Sequence, residues 1–405
     1  MMNSQNVVQE PAEIDDNVLM VLPKSLNIND KYLEVFGEKP SKLEKNLMMY
    51  FLTVLYNSVF LRKNFDKNGF TPLHSVLLKK VMGNAEYAGI IGKLVQMGVV
   101  EKNDKYRVKS ISKRYRLVRN YFVGEYDKVK IKNAVIAANI QKLKIMMAKK
   151  NFQDFEIQQY TLDCLDKVEL DKEKVKEIME ELKKTATEEE YHAYVQQIEA
   201  IEDRNFFSVA DQNTGRVFHN LNNLKRELRE AVLIEGEETT EIDINCSQPT
   251  FLSTLYPANH PEKEKYVKFL ETKDFYSEIG GEDIEKLGRK VVKQKIFKQI
   301  FFGRLRFNIG SRYFRRFKKL FPCLAELVIG MKLNDHAALA VFLQSMEADA
   351  VVSNCIFALK ELDIPAISIH DSILVKKSDV EIARKYMFDS VKDALGFEPK
   401  LTIKK

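Results

Sequence analysis

The chain is short of cysteine, has no long apolar run and does not open like a secreted protein. Each absence narrows what it can be. Four cysteines in 405 residues (Cys164, Cys246, Cys323 and Cys355) stand far apart, with no Cys-x-x-Cys pair. That spacing offers neither a disulfide framework nor a zinc site, so a reducing, cytoplasmic setting is expected. No uninterrupted apolar stretch approaches the roughly 18 residues of a membrane span, and no membrane partner is expected. The opening, MMNSQNVVQEPAEIDDNVLM, lacks the basic-then-apolar order of a signal peptide. What is present is ordinary globular composition, 45% hydrophobic and 30% charged. This length predicts two or three domains with a self-sufficient core. The net charge of +6 hints at a polyanionic partner.

Residues 1–42 are polar and contain proline, and read as a loosely ordered lead-in. Helical periodicity begins near 43 and runs to about 64. The next stretch, GFTPLHSVLLKKVMGNAEYAGIIGKLVQMGVVEKNDKYRVKS, reads as helices at about 72–82 and 85–97, then strands VVEK and KYRVKS. Helix, turn, helix and hairpin is the order of a winged helix-turn-helix, expected over 43–125. The tract VKSISKRYRLVRN behind it carries Lys109, Lys113, Arg114, Arg116 and Arg119 with no acid among them. That composition suits phosphate contacts on DNA or RNA, although winged helices also bind proteins. Residues 126–205 are helical and charged, with Thr187 and Glu190 spaced as a capping box. From 206 to 405 the chain reads as α+β with a small antiparallel sheet and a last helix capped by Ser378.

Two acids interrupt apolar strands. Asp243 sits in TEIDINC between Ile242 and Ile244, and Asp371 sits in AISIHDSILV after a β-branched run. An acid in such a place faces water in a turn or meets a cation. Carboxylates brought together from neighbouring strands repel unless a cation lies between them, and two Mg²⁺ ions on paired aspartates are a clamp for phosphoryl displacement. The segment RKVVKQKIFKQIFFGR places Arg289, Lys293, Phe297 and Phe301 four residues apart, so one helix face carries two cations and then two rings. Cations for phosphates and rings for a base and sugar would let that helix cover a nucleoside triphosphate.

These segments resemble the family A polymerases, the DNA polymerase I-like enzymes and single-subunit phage RNA polymerases. The resemblance rests on TGRVFHNLNNLKRELREA, DINCSQ, RKVVKQKIFKQIF, LQSMEADAVV and IHDS, in that order, over residues 206–405. It implies a right-hand polymerase, with an antiparallel palm sheet, helical fingers, and a thumb over 126–205. Asp243 and Asp371 would hold two Mg²⁺ ions, with Mn²⁺ as a substitute, and Lys293 would contact the triphosphate and protonate the leaving pyrophosphate. Arg289 would hold the outer phosphates, and Phe297 and Phe301 would pack on the nucleotide. Arg216, Gln344 and His370 would lie along the primer-template. Arg229 would line the same channel or pair with Glu227 or Glu230.

Several departures bear on the substrate. Asn245 stands where the DNA enzymes carry Asp, and Ser372 after His-Asp is RNA-polymerase-like. Gln248 stands where the DNA enzymes place a Glu against the ribose 2′-OH, and Phe297 is DNA-polymerase-like. Phe301 replaces a Tyr and has no hydroxyl to recognise a ribose. The front half shows no carboxylate set for a 3′–5′ exonuclease. The expectation is a monomeric, DNA-dependent DNA polymerase without proofreading, working on primer-template and nucleoside triphosphates, of the kind phages and plasmids encode. The alternatives are a single-subunit RNA polymerase or primase, and a non-catalytic, DNA-binding replication initiator.

Overall fold

The computed structural model of the chain describes residues 17–61, 65–66, 68–103, 113–122, 124–148, 152–257, 259–333 and 335–404. They group into two compact units. One holds residues up to 152 with 177–203 and 223–225. The other holds 153–176, 204–222 and 226–405.

The first unit runs β1 (Asn17–Pro23), helices Ile28–Phe36 and Lys42–Tyr56, β2 (Thr71–Pro72), and helices Ser75–Met82 and Asn84–Gln96. It continues with β3 (Val100–Asn103), β4 (Arg114–Leu117), β5 (Tyr126–Lys132) and helix Ala134–Ala148. Of the expected loose lead-in, residues 1–16 lie outside the described residues, and β1 and the helix Ile28–Phe36 fall within 17–42. Met20, Val21 and Leu22 are buried, which β1 achieves by pairing along its whole length with β5. Asn27 then caps the next helix by accepting from the N–H groups of Asn29 and Asp30. The helix at Lys42 starts on a capping box of Ser41 and Glu44 and ends at Tyr56, where a π turn, Asn57–Leu61, takes over. The helix expected from 72 begins at Ser75, because Thr71 and Pro72 pair with β4. The resulting sheet has the order β2-β4-β3. The second hairpin strand expected at 105–110 lies outside the described residues. The described partner of β3 is β4, with Val100 opposite Leu117.

The region expected as one thumb-like body, 126–205, divides between the units. Its β6 strand (Val168–Leu170) pairs in the second unit, whereas the helix Glu188–Glu202 is held in the first through the Tyr56 hydroxyl, which donates to Gln196 at 2.5 Å. The Thr187–Glu190 capping box opens that helix.

The second unit adds β7 (Ser208–Ala210), β8 (Val217–His219), β9 (Val232–Ile234), β10 (Glu237–Ile244), β11 (Ala366–Ile369), β12 (Ser372–Lys376) and β13 (Leu401–Lys404). Its main sheet is antiparallel, in the order β11-β12-β10-β9-β6, with β13 also on β10. Alternation along β10 and β12 makes the sheet two-faced. Ile242, Ile244, Ile373 and Val375 enter a core with Met387 and Val391 of the helix Val380–Leu395 and with Val351 and Cys355. The last two lie in a continuous helix, Ala338–Lys360, which is long and apolar enough to cross a membrane by length and composition; 56% of its most apolar 18-residue stretch is buried inside the protein. Glu241 and Asp243 take the opposite face of β10. Ser378 does not cap the last helix. Its N–H and hydroxyl both donate to the Glu237 carboxylate, 2.7 and 2.9 Å away. All four cysteines are free.

Candidate active site

β10 and the β11–β12 hairpin bring the two aspartates side by side. Asp243 lies opposite Ser372, the first residue of β12, and the Ile244 N–H donates to the Asp371 carbonyl at 3.2 Å. Asp371 therefore sits one residue beyond the last pair, in a two-residue loop with His370. His370 has φ 58°, a left-handed conformation that strains a residue with a Cβ. Burial and then the neighbouring Asp371 charge push the Asp243 carboxyl up to about 6, against the pull of Lys404. Burial and then Glu347 likewise raise Asp371, with Lys404 and Arg216 opposing. Both shifts mark charge that the protein leaves incompletely compensated. Hard carboxylate oxygens in that condition fit a divalent cation such as Mg²⁺. Among the described residues no three His, Cys, Asp or Glu side chains form a metal-holding cluster. A cation here would therefore rely on two carboxylates and on oxygens brought by its ligand.

A cleft of about 460 Å³ opens beside Asp243, with Asp274, Tyr276, Arg289 and Lys293 in its wall. Arg289 and Lys293 lie on one face of the helix Arg289–Ile296 and are exposed. Arg289 is tied to Asp274 Oδ1 at 2.6 Å, and its guanidinium lies 5.4 Å from the Tyr276 ring. Lys293 has no carboxylate partner among the described residues. Its ammonium lies over the rings of Tyr276 and Phe297, at 5.0 and 5.6 Å.

Phe301 does not join this face. From Phe297 to Phe302 the helix widens to a π turn, which breaks the four-residue register, and Phe301 is fully buried in the core. The neighbouring Phe302 emerges instead, 38% exposed and stacked on Phe297 with centroids 5.4 Å apart and planes 11° off parallel. The sequence signal for this was Gly303. A Cβ there would stand 2.2 Å from the Lys298 carbonyl oxygen and 2.3 Å from the Asn308 side chain, so only glycine closes the turn. The buried Lys332 ammonium donates to the Ile300 and Phe301 carbonyls, each at 3.0 Å.

Gln248 and Arg216 converge on Glu347, which the sequence did not single out. Glu347 is 1% exposed and accepts from Arg216, from the Ser247 hydroxyl and, at 3.0 Å, from Gln248 Nε2. Gln248 is itself buried, with Oε1 lacking a partner, so its side chain is held by Glu347 and does not project freely toward a nucleotide. Arg216 leaves the β7–β8 loop after Gly215, whose φ of 72° requires glycine. Gln344 is half-buried on the same helix as Glu347, and His370 is exposed. Arg229 meets neither Glu227 nor Glu230. Its partner is Glu241 on β10, at 3.8 Å. Ser372 is fully buried and donates to Glu241 at 2.6 Å, which makes it part of the sheet's own polar network.

Three arginines of the first unit's basic tract are paired with acids. Arg114 pairs with Asp66 at 2.7 Å, Arg116 with Glu101 at 2.7 Å, and Arg119 with Glu189 at 3.1 Å. Lys113 also has a partner, and Lys109 lies outside the described residues. The exposed face of the helix Asn84–Gln96 presents Ala85, Ala88, Gly89 and Gly92, without a basic side chain.

No protein-family model matches the chain, and no curated protein does. Among solved structures it is similar to the polymerase domain of Pol1 from M. smegmatis, in complex with DNA primer-template and dNTP. That likeness has a TM-score of 0.41 and 13% identity, and it spans 56% of this chain and 55% of that one.

Proposed function

We propose that the chain is a template-directed nucleic-acid polymerase that transfers nucleotidyl groups by a two-metal mechanism. The observation that supports it best is the closeness of Asp243, on β10, to Asp371, in the turn between β11 and β12, both with raised pKa, beside a cleft walled by Arg289 and Lys293. Two Mg²⁺ ions at such a pair would activate the attacking hydroxyl and stabilise the leaving oxygen.

The chain's own residues supply the rest. Asp243 holds negative charge on β10 and Asp371 holds it in the tight turn between β11 and β12. Arg289 and Lys293 meet the triphosphate, and Lys293 is placed to give a proton to the departing pyrophosphate. The Phe297–Phe302 stack offers an apolar wall to the base and sugar, the place first assigned to Phe301. In this reading the main sheet is the palm and the Arg289 helix belongs to the fingers. The first unit, with its order helix, strand, two helices and two strands, is a winged helix. Its paired arginines favour a structural or protein-binding role for it over sequence reading.

Deoxynucleotides on a primed DNA template remain the preferred substrates. Ser372, the residue that leaned towards RNA, is engaged with Glu241 inside the sheet. Primer extension with Mg²⁺, comparing dNTPs with NTPs, tests the reading. Template-directed products that disappear in Asp371→Ala support it, and absence of incorporation by the folded chain refutes it.

A further inference from the structure

The polar face of β10 carries a cation next to its acids. β13 runs antiparallel to β10 with Lys404 opposite Glu241 and Thr402 opposite Asp243. The Thr240 hydroxyl donates to the Lys404 carbonyl at 2.6 Å, which pins the strand at that residue. The Lys404 ammonium then lies 2.5 Å from Glu241 Oε1 and 3.2 Å from Asp243 Oδ1.

The two carboxylates it touches are not equivalent. Glu241 is 9% exposed and is also held by Ser372 and Arg229, so it is a fixed anchor. Lys404 is the only side-chain partner of the Asp243 carboxylate among the described residues. Side chains two positions apart on one strand face lie about 7 Å apart. A lysine reaches that far by rotating its stem, so its ammonium can rest on Glu241 alone without moving the backbone.

We propose that Lys404 is a resident counter-ion of the metal site, a positioning residue that partly neutralises Asp243 in the empty site and withdraws onto Glu241 when a divalent cation arrives. This rests on the polymerase reading, which puts that cation on Asp243 and Asp371. Two cations cannot share one carboxylate without repulsion, so Lys404 weakens binding of metal alone. The triphosphate brings negative charge that outweighs this repulsion. The site therefore fills mainly with metal and nucleotide together, and standing empty it is less self-repelling than two bare aspartates would be.

Mn²⁺ binding, measured by electron paramagnetic resonance with and without a non-hydrolysable nucleoside triphosphate, tests the proposal without reading activity. Lys404→Met and Lys404→Gln should bind Mn²⁺ alone on the order of tenfold more tightly than the unaltered chain. They should also lose most of the improvement that the nucleotide brings, whereas Lys404→Arg should behave like the unaltered chain. Unchanged or weaker Mn²⁺ binding in both neutral variants overturns the counter-ion role and leaves Lys404 as a support for the Asp243 rotamer. If the unaltered chain binds no Mn²⁺ even with nucleotide, the polymerase reading fails, and the proposal fails with it.

Discussion

Replacing Asp243 by Asn should stabilise the protein while abolishing synthesis. The carboxyl's pKa rises from 3.8 to about 6 on folding. The unfolded chain therefore gives up its proton first, and ionisation costs folding stability. The cost is absent below about pH 4, grows as pH rises through 6, and is complete above about pH 7. A shift of about two units corresponds to about 3 kcal/mol. Solvent screening of the Asp243 side chain, 24% exposed, brings the expected gain below this figure. For a domain of this size that predicts a Tm gain of about 5 °C at neutral pH.

Asn is close to isosteric and removes the charge, and Lys404 keeps its bond to Glu241. Thermal unfolding of both proteins should show the gap in full near pH 7.5 and its near-disappearance by about pH 3.5. Millimolar Mg²⁺ together with a non-hydrolysable nucleoside triphosphate should narrow the gap by stabilising the unaltered protein more than the variant, since binding to the native state adds RT ln(1 + [L]/Kd). A variant less stable than its parent at neutral pH, or a gap independent of pH, would refute the idea that the paired acids are left under-compensated for a cation.

Other outcomes follow from the same geometry. Phe301→Ala should cost about 3–5 kcal/mol, measured by urea unfolding, because it empties a fully buried site. Phe302→Ala should change stability by under about 1 kcal/mol and instead raise the KM for nucleotides in primer extension. Glu347→Gln should cost about 3–5 kcal/mol by the same unfolding assay, because it strands Arg216 against a neutral amide. Lys293→Ala should lower kcat with stability unchanged, since its exposed ammonium has only ring contacts among the described residues.

Local periodicity made some of the site readable. Alternation in TEIDINC and SIHDSILV marked strands that carry an acid at their ends; β10 and β12 are neighbours, and Asp371 lies in the turn that leads into β12. The four-residue spacing of Arg289 and Lys293 placed them on one exposed helix face. Phe301 went astray because periodicity assumes a constant helix, and the π turn inserts one residue's worth of rotation just before it. The partners of Gln248, Arg216 and Ser372 were illegible for another reason. Those partners, Glu347 and Glu241, lie 99 to 131 residues away in sequence, and only the folded chain shows which acid each one meets. The acids that pair with the first unit's arginines, Asp66, Glu101 and Glu189, are absent from the basic tract itself, so its composition does not show them. Residues 17–36 were undervalued because the partner of β1 is β5, more than a hundred positions on.

The central claim is best tested by template-directed primer extension with the intact chain and Mg²⁺, run beside Asp243→Asn and Asp371→Asn variants shown to be folded. The account predicts products complementary to the template from the unaltered chain and none from either variant. Incorporation that survives loss of either aspartate, or a folded, unaltered chain that extends no primer with any nucleotide, would contradict it.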